Sequence, residues 1–344
     1  MEKSVSRLFT RDILQKALHL FDAGENVPIL LGDFENYAYE VYRNGIPFVL
    51  RFTHSSHRTK GQIEAELDWV NYLSIRKINV CRAFPSVNGK FVEAVAVEDS
   101  FFFVCLFKKA NGHKVRKEDL NDELFYHWGK LVGIMHRATK SYQKPDSIEK
   151  RPEWDEEDLI SVEKYIPATD YAVIEKAEAL LGKIRQLEKS ADSYGLIHSD
   201  VHSGNFFVEE STIELFDFDD CTYHWFASDI AIPIYYTVWS AMAFVMRDTK
   251  ESFAENFALK FLKGYREEND LDPYWIRQIP LFLRLRDQTL YSVFHKKVDL
   301  SQADERIISL VADIKTRILN EEPIVSLDID FILEKIYGQS SQHD

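Results

Sequence analysis

Between positions 198 and 217 four side chains capable of chemistry stand at a suggestive spacing. His198-Ser199-Asp200 is followed by Asn205 and then by Asp217-Phe218. The Asn205 amide and the Asp217 carboxylate are hard oxygen donors of the kind that suits Mg²⁺, a cation that keeps several waters and takes few protein ligands plus substrate phosphates. Such a site implies a nucleotide. Asp200 leaves the apolar run 195–197 and enters a loop of small and polar residues. A carboxylate in that position can work without being a metal ligand.

Local elements must bring these groups together. Phe206–Val208 and Ile213–Phe218 are apolar alternating runs separated by the polar stretch 209–212, which is a hairpin signal. With the turn centred between Glu210 and Ser211, Asn205 falls beside Phe216 and diagonal to Asp217, so two oxygen ligands from different strands face one point. Strand periodicity also places Asp219 on the face of Asp217, within reach of a second metal or the substrate. A rival reading makes His198, Asp200 and His202 a transition-metal site, since alternation on an extended segment puts all three on one face. It leaves the spacing to Asn205 and Asp217 without a purpose.

The wider chain is strand-rich at first. After an opening helix over 10–21, strands are expected at 28–31, 38–42, 48–52, 91–97 and 101–106, with Asn44-Gly45 and Asn88-Gly89 as turn pairs. One helix over 62–73 interrupts them, with Ile63, Leu67, Val70 and Leu73 at helical spacing. Beyond the stretch 106–112, read as a hinge, helical periods take over at 121–139, 170–189, 233–246, 252–268 and 280–295. The expected architecture is α+β: a small antiparallel β-sheet lobe over residues 1–107 and a larger, mainly helical lobe over 108–344, with a ligand cleft between them.

Composition narrows the classes further. The 344 residues are 45% hydrophobic and carry a formal net charge of −14. That supplies a sizeable core and disfavours nucleic acid or an anionic membrane surface as partner. Cys81, Cys105 and Cys221 are widely spaced and without CxxC pairing, which argues against a disulfide framework and a structural zinc site. The polar start lacks the apolar segment of a secretion signal, and the uncharged run 231–246 is shorter than the roughly 20 residues a spanning helix needs. A cytoplasmic protein is expected. The aromatics Trp225, Phe226, Tyr235, Tyr236 and Trp239 either line an acceptor pocket or form core. Acids such as Asp220 would suit a cationic acceptor, whereas Arg284, Arg286 and Lys296-Lys297 would suit an anionic one.

The order His-x-Asp, then asparagine, then Asp-Phe is also the order of protein-kinase catalytic machinery. The stretch HSDVHSGNFF followed by LFDFDD, with Ser228-Asp229-Ile230-Ala231 downstream, resembles the aminoglycoside phosphotransferase and choline kinase family. That family includes homoserine kinase type II, fructosamine kinases and stress-response kinases, and its loop reads H-x-D-x-H-x-x-N. His198, Asp200, His202 and Asn205 match it position by position. The likeness extends to Gly129, Gly133 and Met135-His136, and to 32–37, which resembles the family's nucleotide loop. It covers residues 25 to 300.

The resemblance implies a protein-kinase-like fold that uses ATP and Mg²⁺. Asp200 would accept or orient the proton of an attacking hydroxyl, Asn205 and Asp217 would hold Mg²⁺ with Asp219 nearby, and His198 and His202 would brace the loop. Asp229 would tie that loop to the lobe. Gly32 and Asn36 would serve the nucleotide, as would Arg51, which stands where kinases carry a lysine. Arginine brings charge and a bidentate fork to the same task. Glu66 is its expected partner, with Glu64 in reserve. The implied activity is phosphoryl transfer to a hydroxyl of a small molecule: an amino alcohol, an amino sugar or an aminoglycoside-like compound. A protein Ser/Thr kinase of the stress-response type and a nucleotide-binding pseudokinase are the alternatives.

Overall fold

A computed structural model describes residues 3–241 and 249–338. They form two compact units: one holds the chain up to Gly112 with Tyr142–Arg151 and Glu214–Asp219, the other His113–Ser141, Pro152–Ile213 and the chain from Asp220 onward.

In the first unit a single turn, α1 (Lys3–Ser6), leads to α2 (Arg11–Phe21), which Thr10 opens as N-cap. Then come β1 (Ile29–Gly32), β2 (Tyr37–Arg43) and β3 (Ile46–His54), the helix α3 (Lys60–Ile75), and β4 (Ala83–Phe84), β5 (Glu93–Val97) and β6 (Ser100–Lys108). All pair antiparallel in the order β1-β2-β3-β6-β4, with β5 also on β6. The β2–β3 turn is the Asn44-Gly45 pair anticipated from sequence, both at positive φ (52° and 71°), and the Glu25 carboxylate accepts both of their N–H groups. Alternation then sorts the side chains. Leu50, Phe52, Val104 and Leu106 pack with Ile13, Ala17 and Phe21 of α2, while Phe103 and Cys105 join Ile63 and Leu67 of α3. Arg51, between Leu50 and Phe52 and paired with Cys105, therefore points to the α3 side.

The second unit begins with β7 (His113–Lys114) and α4 (Asp122–Thr139), capped by Asn121. Next are α5 (Val162–Tyr165), α6 (Tyr171–Arg185), β8 (Tyr194–Ile197) and β9 (Phe206–Glu209), followed by β10 (Thr212–Leu215), along which the chain passes back into the first unit. It returns in β11 (Thr222–Trp225) and ends in α7 (Phe226–Ala241), α8 (Lys250–Glu268), α9 (Pro273–Arg277), α10 (Ile279–Lys297), α11 (Glu305–Asn320) and α12 (Ile329–Tyr337). Helices α4 and α8 approach to backbone contact: a Cβ on Gly129 would lie 1.8 Å from the Phe261 carbonyl oxygen, and one on Gly264 would lie 1.9 Å from that of Tyr126. Only glycine fits at either crossing point.

Three expectations need correction. The strand read as 213–218 stops at Leu215, and Asp217 adopts φ 63°, so strand alternation does not reach Asp219. The helix read as starting at Pro233 begins at Phe226, because burial of Phe226, Ala227, Ile230 and Ala231 offsets the one hydrogen bond that Pro233 cannot make. Residues 242–246 of that reading lie outside the described residues. Two helices, α11 and α12, were not anticipated, although Asp304 and Asp328 cap them and Val311, Ile314 and Ile318 repeat at helical spacing. Among the described residues no helix is long and apolar enough to cross a membrane.

Candidate active site

The loop after β8 carries Asp200. The β8 strand is pinned by antiparallel pairing with β11, Ile197 opposite Thr222. Past it, Ser199 takes φ 67°, a left-handed conformation costly for a side-chain residue and held here by Asp229. The Asp229 carboxylate accepts the N–H of His198 at 3.1 Å and that of Ser199 at 2.8 Å. Asp229 is in turn fixed by His136 Nε2 at 3.1 Å, whose Nδ1 meets the Tyr265 hydroxyl at 2.9 Å. Both His136 and Asp229 are fully buried, and burial pulls the His136 pKa below its ordinary value despite the aspartate. A buried chain from α8 through α4 to α7 thus sets the loop backbone.

Asp200 itself is gripped by several donors. Asn205 Nδ2 donates to its backbone oxygen at 2.9 Å and to Oδ2 at 3.0 Å, and Arg286 Nη2 of α10 donates to Oδ1 at 2.6 Å. His202 Nε2 lies 3.2 Å from Oδ2 and its Nδ1 accepts the Gly204 N–H at 2.9 Å, while His198 Nδ1 accepts the Asp200 N–H at 3.3 Å. Both histidines therefore shape the loop. Burial alone would raise the Asp200 pKa, but Arg286, then His202 and His198, outweigh it and hold the carboxyl well below the usual carboxylate range. With its nitrogen committed to Asp200, Asn205 keeps Oδ1 as its remaining hard donor.

The first unit carries the other group of residues singled out from sequence. Arg51 and Glu66 form a bidentate pair, Nη1 to Oε1 at 2.8 Å and Nη2 to Oε2 at 2.6 Å, with Glu66 wholly buried. Glu64 is not part of it and pairs with Lys60 on the surface of α3. Asp217 lies 3.9 Å from Arg51 Nη1, its carboxylate half-exposed. Asp219 is buried instead: Oδ2 sits 2.7 Å from His57 Nε2, Oδ1 is 3.8 Å from Arg58 Nε, and its backbone oxygen accepts Arg151 Nη2 at 2.7 Å. Burial opposes its ionisation, yet His57 and Arg58 keep it well below the ordinary range. Gly32 ends β1 in open space, and Asn36 Oδ1 is buried with no hydrogen-bond partner.

Each unit holds hard oxygen groups of the kind that suit a divalent cation. Among the described residues no three of His, Cys, Asp or Glu form a ready cation cage. The half-exposed Asp217 carboxylate and the Asn205 side-chain oxygen are, each in its own unit, hard oxygen groups of the kind a hydrated Mg²⁺ accepts as ligand. The same finding leaves the transition-metal reading of the His198/Asp200/His202 loop without a site. The orphaned Asn36 oxygen similarly fits a bound polar ligand.

Sequence reasoning missed a cleft of about 650 Å³, counting the part open to solvent, inside the second unit. Its walls include Trp154, His224 and Phe282, with ring centroids 5.3 Å apart for Trp154–His224 and 5.5 Å for His224–Phe282. Ser199, Asp220 and Arg286 also line it, which brings it to the neighbours of Asp200. Burial pushes the His224 pKa down to about 3, so the ring is neutral. No local signal joins these residues, which come from four separate stretches of chain. Trp225, Phe226 and Tyr235 are core, while Tyr236 receives a hydrogen bond from Arg286.

Residues 26–271 match the family model described as a phosphotransferase enzyme family. The chain is 38% identical over 335 residues to amicoumacin kinase of Bacillus subtilis (strain 168), covering 97% of this chain and 99% of that protein. Its structure superposes with a TM-score of 0.92 on amicoumacin kinase hAmiN in complex with AMP-PNP, Ca²⁺ and Ami, at 37% identity over 96% of this chain and 100% of the other. A microcompartment-associated aminopropanol kinase shares the fold at TM-score 0.72 and 21% identity, covering 90% and 95% of the two chains.

Proposed function

The chain belongs to the phosphotransferase enzyme family and acts on a hydroxyl of a small molecule, and on that premise we propose that it transfers the γ-phosphoryl group of ATP, with a divalent cation, to amicoumacin or a close analogue. One observation carries this reading: the 38% identity to an amicoumacin kinase extends over 97% of this chain and 99% of that protein. Nothing supports a protein acceptor.

Each residue has a part. Asp200, ionised and fixed, accepts a hydrogen bond from the acceptor hydroxyl and orients its lone pair. As that oxygen bonds to the γ-phosphorus, the bond to the β,γ-bridging oxygen breaks and ADP leaves. The hydroxyl proton passes to Asp200 Oδ. Arg51, locked by Glu66, holds a fixed positive charge for nucleotide phosphates, and Gly32 and Asn36 serve the same nucleotide. Asn205 and Asp217 would hold the cation, Mg²⁺ by the family's habit, which neutralises phosphate charge when bound. Asp219, clamped by His57 and Arg58, supports the Asp217 segment from within.

The test is ADP release and mass change with Mg·ATP and amicoumacin, beside a panel of amino alcohols, amino sugars and aminoglycosides. Phosphorylated amicoumacin is expected. Unmodified amicoumacin together with a phosphorylated amino sugar would move the acceptor class elsewhere.

A further inference from the structure

The acceptor cleft is lined by the carboxylates Glu157 and Asp220 and by three side chains, Arg286, Ser199 and His224, that have protons to give. Both hydrogen bonds of Arg286 leave from Nη2, to Asp200 Oδ1 and to the Tyr236 hydroxyl. Its Nε is buried with no hydrogen-bond partner, and Nη1 makes no protein hydrogen bond among the described residues. Ser199 Oγ is likewise buried without a partner. His224 Nδ1 accepts the Trp225 N–H at 2.9 Å, which puts the ring proton on Nε2, and that nitrogen donates to no protein group among the described residues. All three residues line the same cleft. Buried donors are almost always satisfied in a working protein, so the ligand is the natural supplier of acceptors.

The geometry points to Arg286 as the residue that positions Asp200 and selects the acceptor, taking compounds whose reacting hydroxyl is flanked by a hydrogen-bond-accepting oxygen, such as a carboxamide or a second hydroxyl, over those flanked by an ammonium. This rests on the phosphotransferase reading above. The guanidinium and the Asp200 carboxylate form an ion pair 2.6 Å apart. A hydroxyl donating to the carboxylate and a neighbouring oxygen accepting from the guanidinium bridge that pair in one binding event. An ammonium in the second place meets a like charge. Arg286 is itself steadied by the Tyr236 ring, 4.9 Å from its Cζ, and Tyr236 stacks on Trp239 at 5.8 Å, so α7 backs the arrangement.

The test compares the wild type with Arg286→Lys and Arg286→Met on amicoumacin and on three matched acceptors: lactamide, 1,2-propanediol and 1-amino-2-propanol. The wild type is expected to prefer lactamide and the diol over the amino alcohol by at least roughly tenfold in kcat/KM, the scale of one charged-group mismatch. In Arg286→Met, kcat/KM for every acceptor the wild type uses falls by roughly 10² to 10³, as for loss of an oriented donor, while the KM for Mg·ATP stays within about twofold. Guanidinium ion at millimolar concentration restores part of that loss, which a merely structural role would not permit. Thermal melting checks folding, and Arg286→Lys, which keeps charge without the fork, carries the comparison if the methionine variant does not fold. Preference for the amino alcohol, wild-type rates in Arg286→Met, or absence of rescue overturns the inference and leaves the phosphotransferase reading standing. Failure of the wild type to phosphorylate any of the four compounds overturns the amicoumacin reading, and this inference with it.

Discussion

Arg51 and Arg286 are both guanidiniums beside a carboxylate, one in each unit, and they are held in opposite ways. Arg51 donates a hydrogen bond from each terminal nitrogen to Glu66, its Nε alone lacking a partner, and the pair is buried on both sides. Arg286 gives both of its bonds from one nitrogen and keeps the rest of the fork uncommitted in a cleft. A closed bidentate pair fixes a charge in place for a ligand every turnover shares. An open guanidinium costs desolvation without full return, and that is tolerable where a ligand completes it. The same residue type thus reads as scaffold in one unit and as recognition in the other.

Substitutions separate the two. The largest effect is expected for Asp200→Asn, where kcat falls by roughly 10³-fold, within the range for loss of a positioned base, while Mg·ATP still raises the melting temperature. Near-wild-type turnover by ADP release would remove Asp200 from the chemistry. Glu66→Ala comes next: it strands Arg51 as a buried charge and should cost about 3–5 kcal/mol of stability in urea unfolding. A loss below about 1 kcal/mol would show that Arg51 is not held as tightly as the geometry implies. Arg51→Lys is milder, keeping the charge and losing the fork. The KM for Mg·ATP should rise roughly tenfold, about 1.4 kcal/mol, with acceptor KM unchanged.

At neutral pH the last effect is silent, and it emerges only as pH falls. His224 is buried neutral with its pKa near 3 against an ordinary value of 6.5, so the unfolded chain binds a proton that the folded chain refuses. Stability from this residue is therefore present above pH 6.5 and is lost as pH falls from 6.5 toward 3. His224→Gln should flatten that part of the stability–pH curve, measured as urea midpoints. An unchanged slope would place the acid sensitivity in another group, such as buried His136.

The first unit was legible because its signals are local. Strand alternation and the Asn44-Gly45 turn gave the β2–β3 hairpin, while Arg51 and its partner Glu66 were singled out by the family resemblance and are paired in the structure. The loop from His198 to Asn205 was legible from its motif spacing, and some of its hydrogen bonds close within the loop. Asp217 and Asp219 were read on one face and are not, because the backbone turns left-handed at Asp217, which no alternation rule foresees.

The sequence by itself determined the fold class, the family and the loop that carries Asp200, because those follow from spacing along a single stretch. Only the tertiary structure decided what Asp200 touches. Arg286 reaches it across 86 positions, and Trp154, His224 and Phe282 meet at one cleft from separate elements. Such contacts depend on how α10 packs in the second unit, and no periodicity within α10 encodes which residue it meets. Helical spacing says which face is buried; packing alone says against what.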